Sequence, residues 1–163
     1  MKASTIILAA AVCCLPLGLL APALAANAIV PPKGATTYVT AYIGRVIDIA
    51  NLGNGDSETL VEMTGVTRNT MGQSPFDNMS ARCLILSSVI GGKAGAAGAC
   101  SETDSDGDIV FTSFEGDAHK LIGGTGKYKG ISGSALYTLS PEPSPEPGKV
   151  AYSVKQDVAW TIK

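Results

Sequence analysis

The chain has 163 residues, 45% hydrophobic but only 6% aromatic, with 19 glycines, 9 prolines, 4 cysteines, a single histidine and a formal net charge of -2. That length holds one compact domain. The weakly acidic balance argues against nucleic acid and anionic membranes as partners, since both are held by clustered lysines and arginines. One imidazole rules out a multi-histidine metal centre and any mechanism that needs two.

Residues 1–25 start with Lys2, run apolar from Ile6 to Val12 and through Leu19 and Leu20, and end Ala23-Leu24-Ala25. This is the pattern of a cleaved secretory signal peptide. Pro16, Gly18 and Pro22 interrupt a run already short for a hydrocarbon layer of about 30 Å, which argues against a retained membrane anchor. Val12 stands where lipid attachment at Cys13 wants a small residue. The expectation is a soluble protein exported to the periplasm or secreted, without membrane association after cleavage. Setting Lys2 aside, 12 basic residues become 11 against 14 acidic ones, so the mature domain is near -3.

Residues 26–35, with Pro31, Pro32 and Gly34, read as an exposed lead-in to a barrel domain over 36–163. From Thr36 the hydrophobic period is two. Val39, Ala41, Ile43, Ile47 and Ile49 share one face of a first long strand, with Arg45 interrupting that face. Further strands are expected over Leu60 to Arg68, Ala81 to Ile90, Ala94 to Thr103, Ile109 to Glu115 and Ile131 to Leu139. The last strand places Val150, Tyr152, Val154, Val158, Trp160 and Ile162 on one side, with Gln156 among them. Asp106-Gly107 is a strong hairpin signal, and the proline-rich stretch Ser140 to Gly148 forms a stiff solvated loop before the last strand. About seven or eight closely spaced strands and no helical period predict an all-β fold. A closed antiparallel barrel is favoured over a sandwich because glycine-rich strands such as Ala94 to Ala99 tolerate the coiling that closure demands.

Beyond the leader only Cys83 and Cys100 remain, and they lie equally far from Gly91-Gly92. A hairpin turning on those glycines sets the two cysteines directly opposite, and export makes a disulfide the expected outcome. Closing a loop of this size stabilises by roughly 3 kcal/mol in the chain-entropy model. No CxxC spacing points to redox chemistry.

The run from Cys100 through Asp104, Asp106, Gly107 and Asp108, then Phe111 and Phe114, then Ile122-Gly-Gly-Thr-Gly-Lys-Tyr-Lys-Gly-Ile-Ser-Gly133, resembles small exported bacterial proteins of the allene oxide cyclase barrel-like group, themselves similar to plant dirigent proteins. The likeness covers roughly residues 80–139. It implies an eight-stranded calycin-like antiparallel barrel and a homo-oligomer, a trimer as the resembling cyclases form. Plant allene oxide cyclases steer cyclisation of a fatty-acid-derived epoxide in an apolar barrel, with a carboxylate and an ordered water assisting. No motif carries that carboxylate onto a position of this chain, and fold likeness alone does not carry chemistry.

Several motifs have ordinary readings. Asp104, Asp106 and Asp108 alternate as in a calcium loop, with Glu115 at the twelfth place, but Ile109 stands where that loop turns on glycine; an acidic hairpin turn is the better reading, and no metal or cofactor is expected. Gly123 to Lys127 lacks phosphate-loop spacing and reads as a tight turn. His119, in a polar stretch, reads as a surface residue without triad partners.

The polar residues on apolar faces are the most informative. Arg45, Glu62, Glu115 and Gln156 would be buried in a barrel interior, either paired there, as Arg45 with Glu62, or orienting a ligand in a pocket rimmed by Tyr42, Tyr137, Tyr152 and Trp160. Three functions stay open: binding of a small, mostly apolar molecule; an isomerase or cyclase of the resembling type, with Glu62 or Glu115 assisting; and an interaction protein with a filled barrel.

Overall fold

The structure is a computed structural model that describes residues 29–73 and 75–163. The leader read over residues 1–25 and the start of the lead-in lie outside the described residues. Eight strands follow in order: β1 (Lys33–Gly53), β2 (Asp56–Asn69), β3 (Ser80–Ile90), β4 (Lys93–Thr103), β5 (Ile109–Glu115), β6 (Ala118–Gly124), β7 (Ile131–Glu142) and β8 (Lys149–Ile162). Each pairs antiparallel with the next, and β8 returns to β1, so the sheet is a closed barrel without edges. The all-β closed antiparallel barrel expected from the period is the observed fold. Pairing starts at Lys33, inside the stretch read as lead-in, because Gly34 leaves room for the Trp160 ring that faces it from β8.

The strand that periodicity missed is β6. Its seven residues carry His119 and Leu121 inward, with Lys120 and Ile122 outward, and Gly123-Gly124 blurs the alternation. The Gly123 to Lys127 stretch is indeed a turn: Gly126 adopts φ 49° and opens the three-residue 3-10 turn Gly126–Tyr128. A Cβ at Gly126 would collide with the Asp108 carboxylate, which accepts a hydrogen bond from the Lys127 backbone N–H. In the acidic hairpin Asp104 accepts from the N–H groups of Asp106 and Asp108, and the Lys127 ammonium sits 2.7 Å from Asp104 and 2.5 Å from Asp106. A lysine thus occupies the place between carboxylates that the calcium-loop resemblance would have left for a cation.

Cys83 and Cys100 are register partners on β3 and β4, which turn on Gly91-Gly92 as the spacing predicted, and they form a disulfide with Cα atoms 4.1 Å apart.

The facing of β1 is the reverse of the expectation. Tyr38, Thr40 and Tyr42 point inward, and Val39, Ala41 and Ile43 of the expected apolar set lie outside, where Ile43 is exposed. A register shift between Val46 and Asp48 then changes the parity, and Ile49 pairs with Thr59 of the cavity wall. Arg45 is therefore outward too. It does pair with Glu62, at 2.6 Å, but on the outer surface, where Arg82 of β3 holds the other carboxylate oxygen at 2.6 Å. Those two guanidinium groups donate to Glu62 and hold its carboxyl below the ordinary range. Glu115, at the end of β5, is exposed, not buried.

The interior divides into two levels. At one end Tyr38, Phe76, Met79, Val110, Leu121, Tyr128, Ile131, Ala135, Val158 and Trp160 form a continuous packed core. Phe76 and Met79 come from the connection between β2 and β3, which enters the barrel like a stopper. The Phe76 ring stacks on Tyr38 at 5.1 Å and meets Trp160 edge-on at 5.5 Å. Phe76 adopts φ 59°, a costly conformation for an aromatic residue, tolerated because its ring is fully buried. Asn69 fixes the connection by donating to the Pro75 carbonyl and the Thr36 hydroxyl.

Candidate functional site

Above that stopper the barrel is hollow. A cavity of about 390 Å³ runs from the level of Glu102 and Gln156 toward the end that carries the β1–β2, β3–β4, β5–β6 and β7–β8 turns. Its walls are the inward set of each strand: Tyr42 and Val46 from β1, Val61 and Met63 from β2, Ile85 from β3, Phe114 from β5, Leu139 from β7, and Val150, Tyr152 and Val154 from β8. The Cys83–Cys100 disulfide is part of the wall, and the Tyr42 hydroxyl donates to Cys83 Sγ at 3.5 Å. The wall is lowest at β5 and β6, seven residues each against 21 in β1 and 14 in β2. There Tyr137 closes the rim, its hydroxyl donating to the Gly116 carbonyl at 2.5 Å.

The floor is polar. Glu102 on β4 is 1% exposed and faces inward because it keeps the parity of Cys100 two residues earlier. The Tyr38 hydroxyl donates to its carboxyl at 3.1 and 3.2 Å. Burial raises the Glu102 pKa to about 7, against the pull of hydrogen bonds from Tyr38 and Gln156. In turn, burial and the neighbouring carboxyl push the Tyr38 and Tyr42 hydroxyls well above the usual phenol range. Gln156 on β8 donates through its amide to the Thr40 hydroxyl at 3.4 Å.

His119 enters the cavity wall from β6. It stands edge-on between Phe114 and Tyr137, with ring centroids at 6.4 and 6.0 Å, and burial lowers its pKa, so the imidazole is neutral near pH 7. Among the described residues Thr112 Oγ1, His119 Nε2 and Gln156 Oε1 find no hydrogen-bond partner. All three residues line the cavity.

Of the residues expected in a pocket, the structure brings together Tyr42, Tyr137, Tyr152 and Gln156. Arg45, Glu62 and Glu115 are outside the barrel, so none of them can orient a ligand within it. Trp160 has the expected inward facing but belongs to the packed end, where its indole N–H donates to the Pro31 carbonyl at 3.0 Å. His119 is an interior residue and not a surface one. Sequence reasoning missed Glu102, Thr112 and His119 as site residues. The alternation through Cys83 and Cys100 would have placed Glu102, and the two-residue turn Gly116-Asp117 would have revealed β6.

Chemically, the arrangement is an apolar well whose lining includes a carboxyl with no cation against it among the described residues, a neutral imidazole, a hydroxyl and an amide. It can seat an apolar body with one polar end, and its carboxyl titrates in the range where a group can both take and give a proton. Comparison of the chain with protein-family models, with curated proteins and with solved structures finds no match.

Proposed function

We propose that this protein binds a small, mostly apolar molecule inside its barrel. The observation that carries the reading is the coexistence of a 390 Å³ cavity with buried polar atoms at its floor that have no partner among the described residues. Buried polar groups are normally satisfied, and sites that keep some open are sites that receive something. The disulfide supports export, because such bonds persist in oxidising compartments. Native mass spectrometry of protein purified from such a compartment tests the reading. An added mass that leaves on denaturation is the expected result. A bare chain that also fails to bind a neutral apolar dye removes the proposal.

One observation favours a second reading, an isomerase or cyclase of the kind the resemblance implies. Glu102 is an interior carboxyl without a basic partner among the described residues, raised to about 7, as a general acid or base requires. In this reading Glu102, not Glu62 or Glu115, takes the assisting role. Extracts of wild type and Glu102→Gln made from the same cells distinguish the two functions. Isomeric compounds bound to the two proteins support catalysis, whereas the same compound in both supports binding alone.

A further inference from the structure

The polar floor restricts the ligand further. Glu102, Thr112, His119 and Gln156 come from four different strands, β4, β5, β6 and β8, and all line an otherwise apolar cavity. Three of them are more than nine-tenths buried and present an atom without a partner among the described residues: Thr112 Oγ1, His119 Nε2 and Gln156 Oε1. The set is rich in acceptors. An amide oxygen and a carboxyl offer lone pairs, a neutral imidazole accepts at one nitrogen, and a hydroxyl accepts as readily as it donates. Among the described residues no lysine or arginine lines the cavity. The groups facing Glu102 are the Tyr38 and Tyr42 hydroxyls from β1, Tyr128 from the 3-10 turn and the Gln156 amide from β8, and none brings a positive charge. His119, a titratable base on the wall, is kept neutral near pH 7 by burial.

We infer that the group a ligand presents to this floor is a hydrogen-bond donor without negative charge, a hydroxyl or an amine on an apolar body, and that an anionic head is rejected there. The inference rests on the binding function proposed above and adds the chemistry of the ligand's polar end. A carboxylate head would bring acceptor oxygens to acceptors and a second negative charge beside Glu102, in a cavity too apolar to screen it. A donor head would instead satisfy the open amide oxygen of Gln156 and can be accepted by the Thr112 hydroxyl.

Competition against N-phenyl-1-naphthylamine, a neutral apolar dye, tests the inference on the intact disulfide-bonded protein, with 1-decanol and decanoate as chain-matched competitors. Near pH 8.5, where Glu102 is ionised, decanol is expected to displace the dye at least about tenfold more effectively than decanoate. Equal or better displacement by decanoate overturns the inference and leaves the binding function standing. Failure of the dye to bind at all overturns the binding function itself.

Because an anion partitions less readily than an alcohol into any apolar site, Glu102→Gln supplies the second arm. The substitution should bring the two competitors to within about threefold of each other, and a folded variant that keeps the wild-type ratio counts against the inference. Should that variant not fold, the wild type read at falling pH serves instead. Decanoate should tighten about tenfold between pH 8.5 and pH 6 while decanol stays constant, and a flat decanoate affinity overturns the inference.

Discussion

The same eight strands enclose a filled volume at one end of the barrel and a hollow one at the other. At the filled end Phe76 and Met79, which belong to no strand, occupy the axis and allow Tyr38, Tyr128, Ile131 and Trp160 to pack against something. At the hollow end Tyr42, Met63 and Cys83 form a second cluster with Val61, Ile85, Val150, Tyr152 and Val154 around it, but among the described residues no segment enters between them. The walls at both ends are apolar and aromatic in similar measure. What separates core from cavity in this barrel is the insertion of one connection, and the polar residues gather at the boundary between the two levels.

The largest expected effect breaks the filled end. Phe76→Ala removes a fully buried ring while leaving the left-handed backbone in place, and should cost about 3–5 kcal/mol, read as a lowered midpoint in urea. A loss below about 1 kcal/mol would mean that the stopper does not hold that end together.

The boundary between the levels should show in the pH dependence of stability. Glu102 rises from an ordinary 4.5 to about 7 in the folded protein, so between those values the native state holds a proton that the unfolded chain has released. Stability from this group is fully present below about pH 4.5, falls as pH rises, and levels off above about pH 7, a total of roughly 3 kcal/mol. His119 has the opposite sign, because its depressed pKa loses stability as pH falls below its ordinary 6.5. The difference between wild type and Glu102→Gln in urea midpoints across this range isolates the carboxyl. Parallel pH profiles for the two proteins would show that Glu102 is not buried as described.

A matched pair sharpens the contrast between the two ends. Ala135→Leu adds bulk to the packed cluster and should destabilise by about 1–3 kcal/mol. Val154→Leu adds bulk to the cavity wall and should cost less than about 0.5 kcal/mol, while weakening dye binding. Comparable costs at the two positions would contradict the hollow upper level. The smallest effect belongs to the outer surface: Arg45→Ala breaks an exposed pair with Glu62 and should leave the midpoint within experimental scatter, since Arg82 still holds the carboxylate.

The legible parts of this molecule are those governed by local rules. Two glycines midway between two cysteines set a register, and alternation along residues 150–162 placed Tyr152, Gln156 and Trp160 on the inner face correctly. On β1 the same rule misled, because both faces of that strand are acceptable to a β-sheet. The odd positions offered Ala41 and Ile43, and the even ones Tyr38 and Tyr42 interleaved with Thr40. Only the barrel chose the even set, whose hydroxyls meet Glu102, Cys83 and Gln156 from other strands. Those contacts span between 41 and 116 residues of sequence, so no local window contains them. Choosing the other face of β1 carried Arg45 and Glu62 into the interior on paper and left Glu102 out of it.

By itself the sequence determined an all-β chain of antiparallel strands, the turns that join most of them, and the pairing of Cys83 with Cys100. These follow from side-chain period, from glycine and proline geometry and from the register of one hairpin, all of which act over a few residues. Tertiary structure alone decided which face of β1 turns inward, that Phe76 and Met79 fill one end, and that Glu102, Thr112, His119 and Gln156 line the cavity at the other. Those outcomes depend on closure, because only when β8 pairs with β1 does an inside exist, and only the volume of that inside determines which side chains touch and which space stays open.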